Sequence, residues 1–250
     1  MRAIWTGAIG FGLVNIPVKL YSATRDTRPD FDLLERKTMS RIRYKRVNED
    51  TGEEVDWPDI VKGHYLKNRY IVLEESDFEA ASPEKTKLID LKSFVNESEI
   101  DGIYFESPYY LSPQKGGEKA YSLLFQALKK TKKAGLSAFV MRNAENLAII
   151  RAYEDVLLLN KLRFQEEIRP AAELRIDMPS VSRAEMDMAV QLVKRHSGAF
   201  DIQRYKDEYS KELNKLIKAK ASGKHPTIRK LKPSAANSQD LLEQLKASLA

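Results

Sequence analysis

Val14-Asn15-Ile16-Pro17-Val18-Lys19-Leu20-Tyr21 is the stretch from which the fold is read. Val14, Ile16, Val18 and Leu20 alternate with Asn15, Pro17, Lys19 and Tyr21, a period of two that marks a half-buried strand. Pro17 has no N–H to give to a ladder, which predicts an edge strand or a bulge. Upstream, Met1 to Gly7 reads as strand and lacks the apolar run of a signal peptide. Downstream, further strands are expected at Arg69 to Leu73, Lys87 to Phe94, Ile103 to Leu111, Leu136 to Arg142, Asn146 to Tyr153 and Asp155 to Phe164. Their short spacing predicts a barrel or sandwich.

Helical signals interrupt this pattern and then replace it. Ser76-Asp77-Phe78-Glu79 has capping-box spacing, with Pro83 as a stop. After Gly116-Gly117, residues Tyr121, Leu124, Phe125 and Leu128 form one apolar face, with Gly135 expected as the C-terminal cap. Ser182-Arg183-Ala184-Glu185 is a second capping box, opening a helix that carries Met186, Ala189, Val190 and Val193 and ends at Gly198. Another helix is expected from Ile202 to Ala221, with the stripe Tyr205, Tyr209, Leu213, Leu216 and Ile217. So small a helical unit must set its stripe on the β-domain or on another subunit. Ser222 to Ser238 reads as a linker with Gly223, Pro226 and Pro233 and the cations Lys224, Arg229, Lys230 and Lys232. A last helix, Asp240 to Leu249, carries Leu241, Leu242, Leu245 and Leu249.

The chain has 250 residues, 42% of them hydrophobic and 31% charged, enough for one sizeable core and a smaller appendage. No apolar run approaches the roughly 18 residues of a membrane span. The absence of cysteine excludes disulfides, thiolate nucleophiles and cysteine-held zinc. The expected location is cytoplasmic. A net charge of +6 favours a polyanionic partner, and its placement is more informative than its sum.

Arg36, Lys37, Arg41, Arg43, Lys45 and Arg46 lie close together. In Arg41-Ile42-Arg43-Tyr44-Lys45 the alternation predicts a strand with three cations on one face and two apolar groups packed on the other. The turn Asn48 to Gly52 and a return from Glu54 would complete a hairpin. Such a strand can follow a phosphate backbone, and it can equally be a solvated edge guarded by its charges. Lys129, Lys130, Lys132 and Lys133 form a second cluster, where the helix macrodipole already accounts for lysines. Lys115-Gly116-Gly117-Glu118-Lys119 lacks the order of a phosphate-binding loop. The acids from Glu49 to Asp59 lack EF-hand spacing, and His64, His196 and His225 form no ligand pair. No nucleophile, base and oxyanion hole assemble, so no catalytic residue, metal or cofactor is expected.

Longer blocks carry a resemblance. Arg2 to Tyr21, Ser40 to Arg46, Asp59-Ile60-Val61-Lys62-Gly63, Pro108-Tyr109-Tyr110-Leu111 with Lys115 to Tyr121, Met186 to Phe200 and Asp240 to Leu249 resemble bacterial Ku proteins, in order and over nearly the whole chain. That resemblance implies a mixed, mainly β fold: a Ku-type β-barrel core over 1–178, a DNA-encircling bridge at about 25–68, an α-helical arm over 179–222, and a basic linker with a docking helix over 223–250. It implies a homodimeric ring on double-stranded DNA ends in non-homologous end joining, without enzymatic activity, cofactor or membrane contact. The DNA-binding cations would be Lys19, Arg25, Arg36, Lys37, Arg41, Arg43, Lys45 and Arg46, with Lys129, Lys130, Lys132 and Lys133. A multifunctional repair ligase of the ligase D type would meet Leu241, Leu242, Leu245 and Leu249. Related sequences often have cysteines where Met39, Asn48 and Thr51 stand here, so the hairpin must hold by packing and turn chemistry. The rival readings are a basic DNA-binding protein without ring closure, a small-molecule enzyme, and a scaffold that binds the ligase but not DNA.

Overall fold

The structure is a computed structural model that describes residues 1–81, 87–142 and 144–224. Pro83, the expected linker beyond Lys224 and the leucine segment 240–249 lie outside the described residues. The chain divides into two compact units, one of residues 1–26 with 33–170, the other of 27–32 with the chain from Ala171 onward.

In the first unit, β1 (Trp5–Phe11) and β2 (Val14–Ser22) form a hairpin. Gly12 takes the positive φ that its two-residue turn requires. After the segment described below come β3 (Lys62–Leu66), β4 (Arg69–Leu73) and the short helix α1 (Glu75–Ala81). Then follow β5 (Leu88–Asn96), β6 (Phe105–Pro113), α2 (Glu118–Thr131), β7 (Lys133–Met141), β8 (Ala144–Tyr153) and β9 (Val156–Leu162). Seven strands close a barrel in the order β1-β2-β6-β9-β8-β7-β5, and β5 returns parallel to β1. β3 and β4 pair separately, through a turn in which Lys67 and Asn68 both have positive φ.

The edge expected at Pro17 is not there, because β2 is paired on both sides. Ala8 opposite Pro17 gives its N–H to the Lys87 carbonyl of the other neighbour, so Pro17 faces away from β1. On that side β6 has already ended, its pairing beginning at Val18 and Pro113. The Pro17 carbonyl still accepts from the Gln114 N–H at 2.8 Å. A missing donor costs nothing where the neighbouring strand stops.

Three of the four residues on the expected inward face of β2 are buried, and Val14 at the start of the strand is exposed. Ile16, Val18 and Leu20 are buried with Ile9, Ile89, Leu111, Phe139, Ile150, Leu157 and Leu159. Helix α2 contributes Tyr121, Leu124 and Leu128 to the same core. The Tyr121 hydroxyl donates to the Leu111 carbonyl and accepts from the Leu157 N–H, both at 2.7 Å, tying β6 to β9. Burial pushes that hydroxyl's pKa up. Leu147-Ala148-Ile149-Ile150 runs unbroken because both faces of β8 are covered. Ala148 and Ile150 join the main core, whereas Ile149 joins Ala134 and Leu162 under Ile100, Tyr104 and Phe105.

Several local expectations shift. Gly135 lies inside β7, where its lack of a side chain admits Leu91, and Lys132 with φ 54° ends α2 instead. At α1 the Asp77 carboxylate accepts from the Glu74 N–H, which places the capping contact two residues before the Ser76–Glu79 pair. In the second unit α3 (Arg183–Arg195) has the expected box: Ser182 Oγ accepts from the Glu185 N–H at 3.3 Å, and the Glu185 carboxylate accepts from the Ser182 N–H at 2.7 Å. The helix stops at Arg195, three residues before Gly198. Helix α4 (Glu208–Ala221) starts late, because the Asp207 carboxylate caps it through the Ser210 N–H and hydroxyl, leaving Ile202–Arg204 as a 3-10 turn. Among the described residues no helix is long and apolar enough to cross a membrane.

Candidate nucleic-acid interface

Between β2 and β3 the chain builds two small hairpins in succession. The first pairs Leu34 with Arg41 and closes through Ile42 N–H to Leu33 carbonyl and Glu35 N–H to Ser40 carbonyl, both 2.9 Å. Arg36 and Lys37 lie in its turn. The second pairs Val47 with Glu54, and Val55 N–H donates to the Arg46 carbonyl at 2.9 Å. Asn48 to Gly52 is its turn, as expected. Asn48 Oδ1 accepts from the Asp50 and Thr51 N–H groups at 2.9 and 3.2 Å, so an Asx turn closes the hairpin.

The expected strand Arg41 to Lys45, with Ile42 and Tyr44 packed behind it, is not what forms. Single bridges flank the run, and both apolar groups are exposed, Tyr44 to 83%. Within residues 31–70 only Val55 is even half-buried. The physical reason is that each hairpin is two-stranded and, among the described residues, no third strand pairs with it to cover a reverse face.

Charge along this segment is sharply divided. Residues 36–46 hold six cations and no carboxylate, and residues 49–59 hold six carboxylates and no cation. An ion pair joins the two blocks, Lys45 Nζ to Glu54 Oε2 at 2.5 Å, with both side chains more than half exposed. Such a pair contributes at most about 1 kcal/mol. Arg46 lies over the Trp57 ring, 4.7 Å from its centroid. Arg41 is held by a contact of its own. Among the described residues no ion pair engages Arg36, Lys37 or Arg43.

The other expected cations stand elsewhere. Lys19 is an exposed residue of β2, and Arg25 is exposed just beyond it. Lys129 and Lys130 end α2, Lys132 is its left-handed cap, and Lys133 opens β7. Lys129 lies over its own helix's Phe125, 5.3 Å from the ring centroid. Among the described residues no hydrogen bond or ion pair joins either group to the hairpin run. Sequence reasoning missed the aromatics here: Trp57 under Arg46, and Tyr65 against Tyr70 across β3 and β4 at 5.1 Å. Trp57-Pro58 beside an acidic run was the available signal. Among the described residues no three His, Asp or Glu side chains come together to hold a metal ion.

The fold and site define a closed β-barrel protein that carries two exposed hairpins, the first with a cation-rich run of the kind that attracts polyanions. The family model for the Ku70/Ku80 beta-barrel domain matches residues 10–188. A non-homologous end joining protein Ku of Coxiella burnetii is 39% identical, covering 99% of this chain and 94% of its own length. The protein of that name in Opitutus terrae is 41% identical over 100% of this chain and 91% of its own length. Its namesake in Archaeoglobus fulgidus is 38% identical, over 100% and 98%. The chain belongs to the Ku family.

Proposed function

We propose that this protein binds ends of double-stranded DNA without reading their sequence, as a homodimeric ring, in non-homologous end joining. The observation that carries the reading is the block of six cations in residues 36–46, free of carboxylates and exposed throughout. Broken ends share no sequence, so their binder gains from phosphate contacts, which give affinity without base readout. The process that the relatives' names state, non-homologous end joining, supports ends as the target.

Ring closure assigns the bridge to residues of about 25–68, with the hairpins of two subunits meeting around the duplex. Tyr44, Trp57 and Tyr65, exposed in one subunit, are then covered by the other. A ring admits DNA only at an end and lets the protein slide inward. The mechanism asks for no nucleotide, metal ion or covalent step. The arm of 179–222 completes the dimer. The leucines of 240–249, outside the described residues, recruit and stimulate the repair ligase.

The test is salt dependence on duplexes of unrelated sequence. A protein neutralising about 6 to 10 phosphates loses on the order of a thousandfold in affinity between 50 and 200 mM salt. Replacing Arg41, Arg43 and Lys45 together by Ala removes up to three such contacts, so the log–log salt slope is expected to flatten by about 3. The dimer should persist. A triple variant with the wild-type affinity and slope would contradict the assignment.

A further inference from the structure

Helix α2 buries one apolar face in the core and leaves a second stripe beside it largely open, although Ala120 still packs against the core. Tyr121, Leu124 and Leu128 point into the barrel. Ala120, Leu123, Ala127 and Thr131 follow a second helical stripe that lines an open groove of about 340 Å³. The opposite wall comes from the β1–β2 hairpin and from β5: Phe11, Val14 and Phe94, with Phe11 and Phe94 edge to face at 5.3 Å. Leu123 is 69% exposed, and Leu13 at the hairpin tip is fully exposed. A second hollow, sharing Val14, Ala120 and Leu123, continues the surface along α2 to Gly116 and Lys119.

The shape and chemistry restrict the occupant. The floor is almost wholly apolar, with none of the convergent polar groups that orient a small ligand. It runs beside a helix of 14 residues, about 21 Å, which matches a helical peptide of similar length. The ends of the surface carry Lys119 and Lys133, and no carboxylate lines either hollow. We propose that this groove docks an amphipathic helix of a protein partner, one with an aliphatic stripe and acidic residues flanking it. The apolar walls lie on α2, β1, β2 and β5, with Lys133 of β7 at one end, and the groove is lined by none of the cations of residues 36–46 that carry the DNA-binding reading.

The test uses the full chain and three synthetic 16-residue peptides: a leucine stripe with Glu at both ends, the same stripe with Lys at both ends, and the Glu-ended peptide with serine for leucine. Fluorescence anisotropy is read against wild type and the exposed-site variant Leu123→Glu, whose DNA affinity should be unchanged. The expected result is micromolar binding of the Glu-ended leucine peptide, at least tenfold weaker for either other peptide and for Leu123→Glu. Loss of binding in Ala127→Glu as well would place the peptide along the helix. No binding, or binding that Leu123→Glu leaves intact, would overturn the proposal. Two other outcomes would overturn it by naming another occupant: binding that appears only when Leu245→Asp is introduced would assign the groove to the chain's own leucine segment, and a Leu123→Glu protein of lower oligomeric mass would assign it to a second copy.

Discussion

Gly7 shows how little freedom the barrel's closure leaves a single residue. A methyl built on it would lie 2.3 Å from the Lys87 carbonyl oxygen and 2.2 Å from the Trp5 ring. The Lys87 oxygen cannot give way, since it accepts the Ala8 N–H that joins β5 to β1. Trp5 is fixed in turn, by donation from Nε1 to the Val140 carbonyl at 3.2 Å and by Phe139 edge to face. Gly7→Ala is therefore expected to cost about 1–3 kcal/mol. Gly102→Ala, where a methyl meets nothing, should stay within about 0.5 kcal/mol. Denaturant unfolding of the two variants checks the difference, and equal stability would contradict the close packing. Nothing in the local sequence announces this role, because the clash involves residue 87. Ile16, Val18 and Leu20 were legible because burial in a strand writes itself as alternation.

Elements were legible where their own chemistry decides them and misread where a distant neighbour does. The box at Ser182 and Glu185 is local, and it forms as the spacing predicts. By contrast, β2 looked like an edge because Pro17 does not reveal that β6 stops beside it. The run Arg41 to Lys45 looked like a strand because alternation does not reveal that, among the described residues, nothing covers Ile42 and Tyr44. The strand β3 went unread, although Lys67-Asn68 is a turn signal beside Arg69. At α3 the Ser182 hydroxyl, then its backbone N–H, hold the Glu185 carboxyl below its ordinary value. A depressed folded pKa gives stability that is present above the unfolded pKa and lost as pH falls through the folded one. Wild type is expected to melt above Glu185→Gln at neutral pH, and the gap should close below the ordinary carboxylate range, where both side chains are neutral. A gap independent of pH would show that the carboxylate's charge contributes nothing to the cap.

For the whole molecule, the expected β-barrel with C-terminal helices is what forms, and it was legible because strand spacing and long family-like blocks agree. The apolar surface was not legible, because a sequence marks a residue as apolar without saying which chain covers it. Both units leave large apolar groups exposed: Trp57 to 68% in the hairpin segment, and Phe200, Tyr205 and Tyr209 in the helical unit. Groups of this size favour burial by about 1.5–3 kcal/mol each, which a second subunit can supply. Stable dimers of this kind commonly bury more than about 2,000 Å² in total. Light scattering at micromolar protein should report twice the chain's 28.6 kDa, and a species at 28.6 kDa would contradict the dimer. The proposed binding is topological as well as electrostatic, since cations alone would hold any duplex, whereas a ring needs a free end. Binding to one linear duplex and to the covalently closed circle of the same sequence, at the same salt, separates the two. A ring should bind the linear form tightly and the circle at least tenfold more weakly, with binding restored when the circle is cut once. Equal affinity for the closed circle and the cut molecule would contradict the ring.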